Sequence, residues 1–441
     1  MNLVLIILSS LVSHVASVGT SVITLLDDDM SGHPLCQAED LLACQKAQVD
    51  VDGVLNNDPI IFPYELTLEK TMDYEDGSGT RVMELKTTEG NSSMALITIT
   101  DEKIVTVSID TSHGLDFNLL NCGPGFYLWR TVNETFYDHF DLNPKGLNQT
   151  DSNRKLDPAL TQLMEESRQS SQQATITIKL YYTPALQDSQ LNVRATLANN
   201  IARTNMIMRN TNIPLTIQGI CPELIPVSEI GSAPAILNRT VLQFNNLDEL
   251  YDGADLAMLV TLGCAFQRVC GMAATINVIN PLYNYYGVPV RLAWTIALMN
   301  PFSVFTHELG HLLGGLHNRE TINCRGNCPS TALGFLVQGL PYHTVMAYEN
   351  SKHPFPIDYF STPTLGYNDG ANPIGTPVDD VRSTILSTRF PISRLGNDQC
   401  QRGCFNRDTW STCWDWRQSG YCQHTYVSYM RANCALVCGF C

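Results

Sequence analysis

The chain has 441 residues, of which 44% are hydrophobic, and a formal net charge of −16. This length suits about two to four domains, and the apolar content is sufficient for a sizeable core. The acidic balance argues against a nucleic-acid partner and against an anionic membrane surface, because both need clustered Lys and Arg.

Residues 1–19 have the length and shape of a signal peptide. An apolar run from Leu3 to Ala16 is followed by the small residues Ser17 and Gly19, which predicts cleavage after one of them. A membrane anchor is the alternative, but about 18 or more apolar residues are needed to span a bilayer, and no later stretch qualifies. The fifteen cysteines then predict disulfides formed in an oxidising compartment, and we expect a secreted, extracellular protein. Four glycosylation sequons, which fit secretion, begin at Asn91, Asn133, Asn148 and Asn238.

Residues 20–173 are predicted to form a propeptide-like domain that ends in a linker. Short alternating runs at 95–100 and 103–108 indicate strands of a mostly β module. The polar stretch 148–173 is typical of an exposed linker, and its Arg154-Lys155 pair is the best candidate for proteolytic nicking.

Residues 174–398 alternate strand and helix patterns. A strand is predicted over 175–181 and a helix over Val193 to Met208, followed by strands at 213–220 and 256–262. Strands that alternate with helices indicate a layered α/β domain.

A further helix is predicted over residues 302–314, directly after Pro301, and it carries the start of the run HELGHLLGGLH. His307 and His311 are four residues apart, so they share one helix face and can point two imidazoles at one ion. Glu308 lies one step round the helix, near the ion without being a ligand. That position suits a general base acting on zinc-activated water.

Gly314 makes a third ligand reachable, because glycine can end a helix sharply and let the chain bring His317 back to the ion. Three neutral imidazoles leave a fourth position for water, which distinguishes a catalytic zinc site from a closed structural one. The alternative is a buried helix that happens to carry histidines. Glycine and histidine at the two further required positions argue against that alternative.

HELGHLLGGLH matches the HExxHxxGxxH signature of the metzincin clan of zinc endopeptidases. The resemblance implies bound Zn²⁺ and an α/β fold with a mixed, mostly parallel sheet and an active-site helix. It also implies a methionine turn, which Val345-Met346-Ala347-Tyr348 fits, with Met346 as a hydrophobic base beneath the histidines. In the astacin and serralysin families a Tyr two residues beyond that Met binds zinc or the developing oxyanion. The resemblance carries this role to Tyr348, with a packed or surface Tyr as the alternative.

Other segments resemble the reprolysin-like and peptidyl-Asp branches of the clan. Residues 255–260, followed by 270–273, resemble their strand and loop upstream of the helix, and residues 359–363 resemble their closing segment. Asn318 stands where reprolysins usually carry Asp, which leaves the branch open. The resemblance covers about residues 174–395.

Cysteine parity suggests a latency hypothesis. The first domain holds three cysteines, Cys36, Cys44 and Cys122, so one of them can be unpaired. Several metzincin prodomains place a thiol in the open zinc position, often with Gly after the Cys, and Cys122-Gly123 fits this loosely. A disulfide-bonded Cys122 is the alternative.

Residues 400–441 hold seven cysteines and resemble a ShKT module, a small disulfide-rich domain often appended to secreted metzincins. This segment contains no Lys, so potassium-channel block is not expected. An extracellular docking role and a merely structural cap are both open. The pairing that the resemblance implies joins Cys404 to Cys441, Cys413 to Cys434, and Cys422 to Cys438.

These observations predict a secreted zinc metalloendopeptidase that cleaves proteins or peptides. The alternative is a secreted ShKT binding or toxin-like protein whose protease domain is vestigial. An intact zinc signature with its methionine turn disfavours that alternative, and the open fourth position disfavours a purely structural metal domain.

Overall fold

The computed structural model describes most of the chain between residues 21 and 438, so the predicted signal peptide lies outside the described residues. The described residues are 21–28, 30, 32–36, 41–57, 59–76, 79–87, 94–111, 115–123, 125–133, 148–149, 156–265, 269–297, 304–322, 331–367, 370–397, 410–422, 426, 430, 434 and 438.

The first domain is a nine-stranded antiparallel sheet in the order β1-β2-β9-β8-β7-β6-β5-β4-β3. The predicted strands at 95–100 and 103–108 correspond to β6 and β7, where Ile97 pairs with Val107 and both side chains lie in the same core. This agrees with the prediction of a mostly β module. The strands are Ile23–Leu26, Leu41–Val49, Ile60–Ile61, Thr67–Glu75, Arg81–Lys86, Met94–Ile99, Val105–Asp110, Leu115–Asn121 and Tyr127–Asn133 (β1 to β9), with helix α1 at Val51–Asn56 and 3₁₀ turns at Pro34–Cys36 and Pro63–Glu65.

The second domain is built on a five-stranded sheet in the order β12-β11-β13-β17-β14. Four strands are parallel, and β14 at one edge is antiparallel to β17, so the sheet is mixed and mostly parallel as predicted. The strands of this sheet are β11 Ala174–Tyr182, β12 Leu215–Leu224, β13 Leu256–Thr261, β14 Gly271–Ala273 and β17 Leu292–Ile296.

Short strands and helices surround this sheet. Three small sheets are formed by β10 Asn148–Gln149, β15 Thr275–Ile276 and β16 Tyr283–Asn284, by β18 Tyr342–Thr344 and β19 Phe355–Ile357, and by β20 Thr362–Tyr367 and β21 Asn372–Ile374. The helices are α2 Pro158–Gln169, α3 Pro184–Asp188, α4 Val193–Asn210, α5 Ala233–Val241, α6 Leu247–Tyr251, α7 Val304–Leu313, α8 Val381–Ile392 and, in the tail, α9 Trp410–Gln418.

Helix α4 contacts both domains. Its Ile201 and Ile207 join the core of the second domain, whereas Ala202 and Met206 pack against Val82 and Leu96 of the first-domain sheet. The helix is therefore buried on opposite sides, which explains why most of its residues are inaccessible.

A buried ion cluster accompanies this packing. Arg203 of α4, only 3% exposed, pairs with Asp110 of the first domain and with Asp358 of the second, 3.1 Å away. Burial raises the pKa of Asp110 well above its ordinary value, although the Arg203 charge lowers it. Asn199 donates a hydrogen bond to the Ser108 hydroxyl at 3.0 Å. The two domains are thus joined by polar as well as apolar contacts.

The part of the predicted exposed linker that the structure describes from residue 156 is mostly exposed, but it is helical and not an irregular segment. Residues Pro158–Gln169 form α2, which begins at the capping carboxylate of Asp157 and packs along α8. Ser167 is fully buried and donates a hydrogen bond to Leu386 O at 2.6 Å. The many polar residues of α2 suggested a linker, but its contact needs only one narrow face. The Arg154-Lys155 pair lies outside the described residues.

The tail has its own small core. Cys413 and Cys422 form disulfides with Cys434 and Cys438, the same pairs that the ShKT resemblance implies, and Met430 is fully buried beside them. Cys404 and Cys441 lie outside the described residues. Within the part of the chain that is described, no helix has both the length and the apolar character needed to cross a membrane.

Candidate metal centre

Helix α7 positions the first two histidines. It lies against β14 and β17 on one side and α8 on the other, which explains why every residue of Val304–Leu313 except His307 is buried. The helix ends at Gly314, whose φ of +113° favours glycine. A Cβ at this position would also lie 2.7 Å from Thr384 Cγ2. The sharp end that the sequence predicts is therefore present, and it turns the chain toward His317.

The structure brings the three histidines together. The Nε2 atom of His317 lies 3.3 Å from Nε2 of His307 and 3.0 Å from Nε2 of His311. Among the described residues, these three form the group of His, Cys, Asp or Glu side chains that could hold a metal ion. His311 and His317 are buried, and His307 is partly exposed.

Hydrogen bonds fix the tautomers of the first two histidines. His307 Nδ1 lies 2.7 Å from Val345 O, and His311 Nδ1 lies 2.8 Å from Gly315 O. A carbonyl oxygen only accepts, so each Nδ1 carries the proton and each Nε2 presents a lone pair to the centre.

The geometry fits a zinc ion. Zn–N bonds of 2.0–2.1 Å in tetrahedral coordination place two ligand nitrogens about 3.3 Å apart, near the distances from His317 to its partners. Lone pairs of neutral imidazoles repel each other at such distances unless a cation lies between them. The donor set therefore suits Zn²⁺, which His307, His311 and His317 would hold.

Glu308 lies against the edge strand of the five-stranded sheet. Its side chain is 1% exposed and occupies the space where a Cβ on Gly271 would stand, with Glu308 Cγ only 2.7 Å from that point. Val304 Cγ1 lies equally close. The sequence indicated a strand and loop here, but the requirement for glycine at 271 is a contact between segments 37 residues apart (308 minus 271).

Met346 lies beneath the histidines in a tight packing of glycines. It is fully buried, and a Cβ on Gly310 would collide with its sulfur, while a Cβ on Gly315 would lie 3.1 Å from its Cγ. The preceding residue supplies the carbonyl that holds His307. The turn thus fixes the position of His307 through the Val345 carbonyl.

Tyr348 stacks beside the histidines. Its ring centroid lies 4.2 Å from that of His317 and 5.9 Å from that of His307. The buried amide of Asn318 accepts a hydrogen bond from Tyr348 N at 3.0 Å and another from the Thr321 hydroxyl at 2.8 Å. From the sequence, Asn318 was only a departure from the reprolysin pattern. In the structure its side chain connects the residue directly after His317 to the segment that carries Tyr348.

The structure does not bring Cys122 into the histidine group. Cys36 and Cys44 form a disulfide, and Cys122 is a free, buried thiol. Burial raises the pKa of Cys122 to about 12, although the charge of Arg130 lowers it. A thiolate, not a thiol, is the metal ligand, so this environment does not favour metal binding.

Two parts of the chain match known families. Residues 194–318, from α4 to Asn318, match "Metallo-peptidase family M12B Reprolysin-like", and residues 398–441 match "ShK domain-like". No curated protein matches the chain. The two family matches confirm the metzincin and ShKT resemblances that the zinc motif and the cysteine spacing predict.

Two solved structures resemble the chain at low sequence identity. One titled "Structure of a chaperone-substrate complex" is 15% identical with a TM-score of 0.39, over 67% of this chain and 40% of that one. The "Crystal Structure of metalloproteinase-II from Bacteroides fragilis" is 12% identical with a TM-score of 0.34, over 57% of this chain and 78% of that one. The chain thus spans less than half the length of the first of these structures.

Proposed function

We propose that this chain, a metzincin with a C-terminal ShKT domain, is a secreted zinc metalloendopeptidase that hydrolyses peptide bonds of proteins. The observation that carries the proposal is the convergence of three imidazole Nε2 atoms at the end of the helix that also carries the buried Glu308. A zinc ion held by these histidines would lower the pKa of a water molecule and polarise the scissile carbonyl.

The chain's own residues supply the proton transfers and the orientation. Glu308 is the general base, which takes a proton from the attacking water and gives it to the leaving amine. Its burial excludes bulk water from this exchange. Tyr348 is the candidate partner for the developing oxyanion, and its ring beside His317 supports that role.

The edge strand β14 provides a way to bind substrate. Its pairing with β17 uses one edge, and Gly271 holds this strand against Glu308. An extended peptide that pairs with the remaining edge of β14 would pass next to the general base. Hydrogen bonds between the two backbones would align the substrate, so this binding mode depends little on the side chains of the substrate.

The domain boundaries follow from the same packing. We assign residues 20–133 to a propeptide-like domain and place α2 with the catalytic domain, because α2 packs on α8. Cleavage at Arg154-Lys155 would therefore leave α2 on the mature enzyme. Cys122 as a latency thiol would require the first domain to move, since the thiol is buried and does not belong to the histidine group.

Replacing one atom of the general base tests the function. Glu308→Gln preserves volume but removes the base, so we expect hydrolysis of a denatured protein substrate to fall by at least about a hundredfold, in line with general-base contributions. Zinc content, measured by atomic absorption, should stay at one per chain. A zinc chelator should abolish wild-type cleavage. Substantial activity in the variant, or wild-type activity insensitive to chelation, would overturn the proposal.

A further inference from the structure

The loop between β13 and β14 is fixed at both of its described ends. Cys264 and Cys270 form a disulfide with a Cα–Cα distance of 4.2 Å, and Ala265 N donates to Val269 O at 2.7 Å. Cys270 O in turn accepts from Ile296 N at 3.2 Å, which joins the loop to β17. Movement of one end of this loop must therefore be transmitted to the other.

One carboxylate anchors the start of this loop. Glu229 accepts hydrogen bonds from the backbone N–H of Leu262 at 2.9 Å and of Gly263 at 3.3 Å. It also accepts from the Thr183 hydroxyl. Thr183 follows β11, Glu229 follows β12 and Leu262 follows β13, so this carboxylate ties together the carboxyl ends of three adjacent parallel strands. Hydrogen bonds from amides to an ionised group are among the stronger ones.

The other end of the loop leads directly to the candidate active site. The disulfide residue Cys270 precedes Gly271, and the space beside Gly271 is filled by Glu308. A short covalent and hydrogen-bonded path therefore runs from Glu229 through Gly263 and the disulfide to the general base.

We propose that Glu229 is a positioning residue for Glu308: by holding the amides of Leu262 and Gly263, it fixes the disulfide-closed loop and hence the place of Gly271. The inference rests on the proposed function, because it assumes that Glu308 is the base. Misplacement of reacting groups by about 1 Å can cost two orders of magnitude in rate. Loss of the anchor should thus lower kcat more than it raises KM.

Two substitutions test the anchor. We expect Glu229→Ala to lower kcat by about tenfold, within the range known for misplaced catalytic groups, with KM changed less than about twofold. Glu229→Gln keeps one oxygen acceptor and should lose less, which also covers the case in which the alanine variant folds poorly. Glu249→Ala is the control, since Glu249 likewise accepts from a backbone amide, that of Asn245 at 3.1 Å, but at an exposed turn. It should leave kcat unchanged.

A double-mutant cycle tests the path. If Glu229 acts through the loop, removing the disulfide by Cys264→Ser with Cys270→Ser should make Glu229→Ala cost little more. Hydrogen exchange of the amides of residues 269–273 should rise in Glu229→Ala but not in Glu249→Ala, a readout that needs no activity.

The outcomes separate the two proposals. A wild-type protein without peptidase activity overturns the proposed function, whereas the exchange rates still decide the positioning role. An active Glu229→Ala variant with unchanged kcat, additive effects in the cycle, or unchanged exchange at 269–273 overturns the positioning role alone.

Discussion

The two large sheets of this chain make their most important contacts with different surfaces. The nine-stranded sheet uses a face, from which Val82, Leu96 and Asp110 reach α4. The five-stranded sheet uses an edge, where the backbone at Gly271 lies against Glu308. A face contact spreads its free energy over many side chains, whereas an edge contact can depend on a single missing Cβ. Substitutions should therefore act on stability in the first case and on activity in the second.

The largest effect is expected at the edge. Gly271→Ala places a methyl group in the space of the Glu308 side chain, so the base must move. We expect kcat/KM to fall by about a hundredfold, as for misplacement of a reacting group, while zinc content is unchanged. Gly32→Ala is the matched control, because nothing lies within 4 Å of its Cβ position. Equal kinetics for the two variants would contradict the edge contact.

The next effect breaks the face contact. Arg203→Met leaves the buried Asp358 and the partly exposed Asp110 without their cation, so we expect the free energy of unfolding to fall by about 3 kcal/mol, typical of a broken buried pair. Urea unfolding at pH 7 measures it. Arg194→Met is the control, because Arg194 is 54% exposed and lies 3.9 Å from Asp101, so it should cost less than about 1 kcal/mol. A loss at Arg203 no larger than that at Arg194 would mean that the face contact does not contribute to folding.

A pH series sharpens the comparison by placing acid sensitivity in the second domain. Burial of His343 on β18 lowers its pKa to about 4, so between pH 6.5 and 4 the unfolded chain binds a proton at this residue and the folded chain does not. The contribution of His343 to the free energy of unfolding is therefore fully present above pH 6.5. It falls by about 3 kcal/mol as the pH drops toward 4. His343→Gln should flatten the dependence of unfolding free energy on pH in that window. His33→Gln, at a half-buried position in the first domain, serves as control. An unchanged slope in His343→Gln would refute the assignment.

The smallest expected effect concerns α2. Ser167→Ala removes a buried hydrogen bond to Leu386 O, which should cost about 1 kcal/mol of unfolding free energy. Ser189→Ala is the control. The Ser189 hydroxyl donates a hydrogen bond of similar length, 2.7 Å, to Leu186 O, but this bond is only partly buried and lies within one turn at the end of α3. If Ser167→Ala leaves the thermal unfolding of the protein unchanged, the contact between α2 and α8 does not contribute to stability.

The sequence predicted what depends on local pattern. Alternation located β6 and β7, a helical stripe located α4, and the histidine spacing with Gly314 located the group of three histidines that could hold a metal ion. Interactions between distant segments were not predictable. Helix α2 has too few apolar side chains for its contact with α8 to be predicted from the sequence. The residues around Gly271 do not indicate that Glu308 will lie against it, and those around Glu229 do not indicate that it will accept a hydrogen bond from Leu262.

The ion cluster at Arg203 also describes what separation of the two domains would require. The Arg203 guanidinium pairs with the carboxylates of Asp110 and Asp358, and the buried carboxylate of Asp116 adds a third negative charge nearby. A proton on Asp110, which its raised pKa favours, would reduce this excess of negative charge. Asp110 belongs to the domain that would depart, while Asp358 remains. If the first domain leaves after cleavage, Arg203 keeps a partner 3.1 Å away and the catalytic half inherits a neutral pair. Separation of the two domains would therefore leave the guanidinium of Arg203 paired with Asp358.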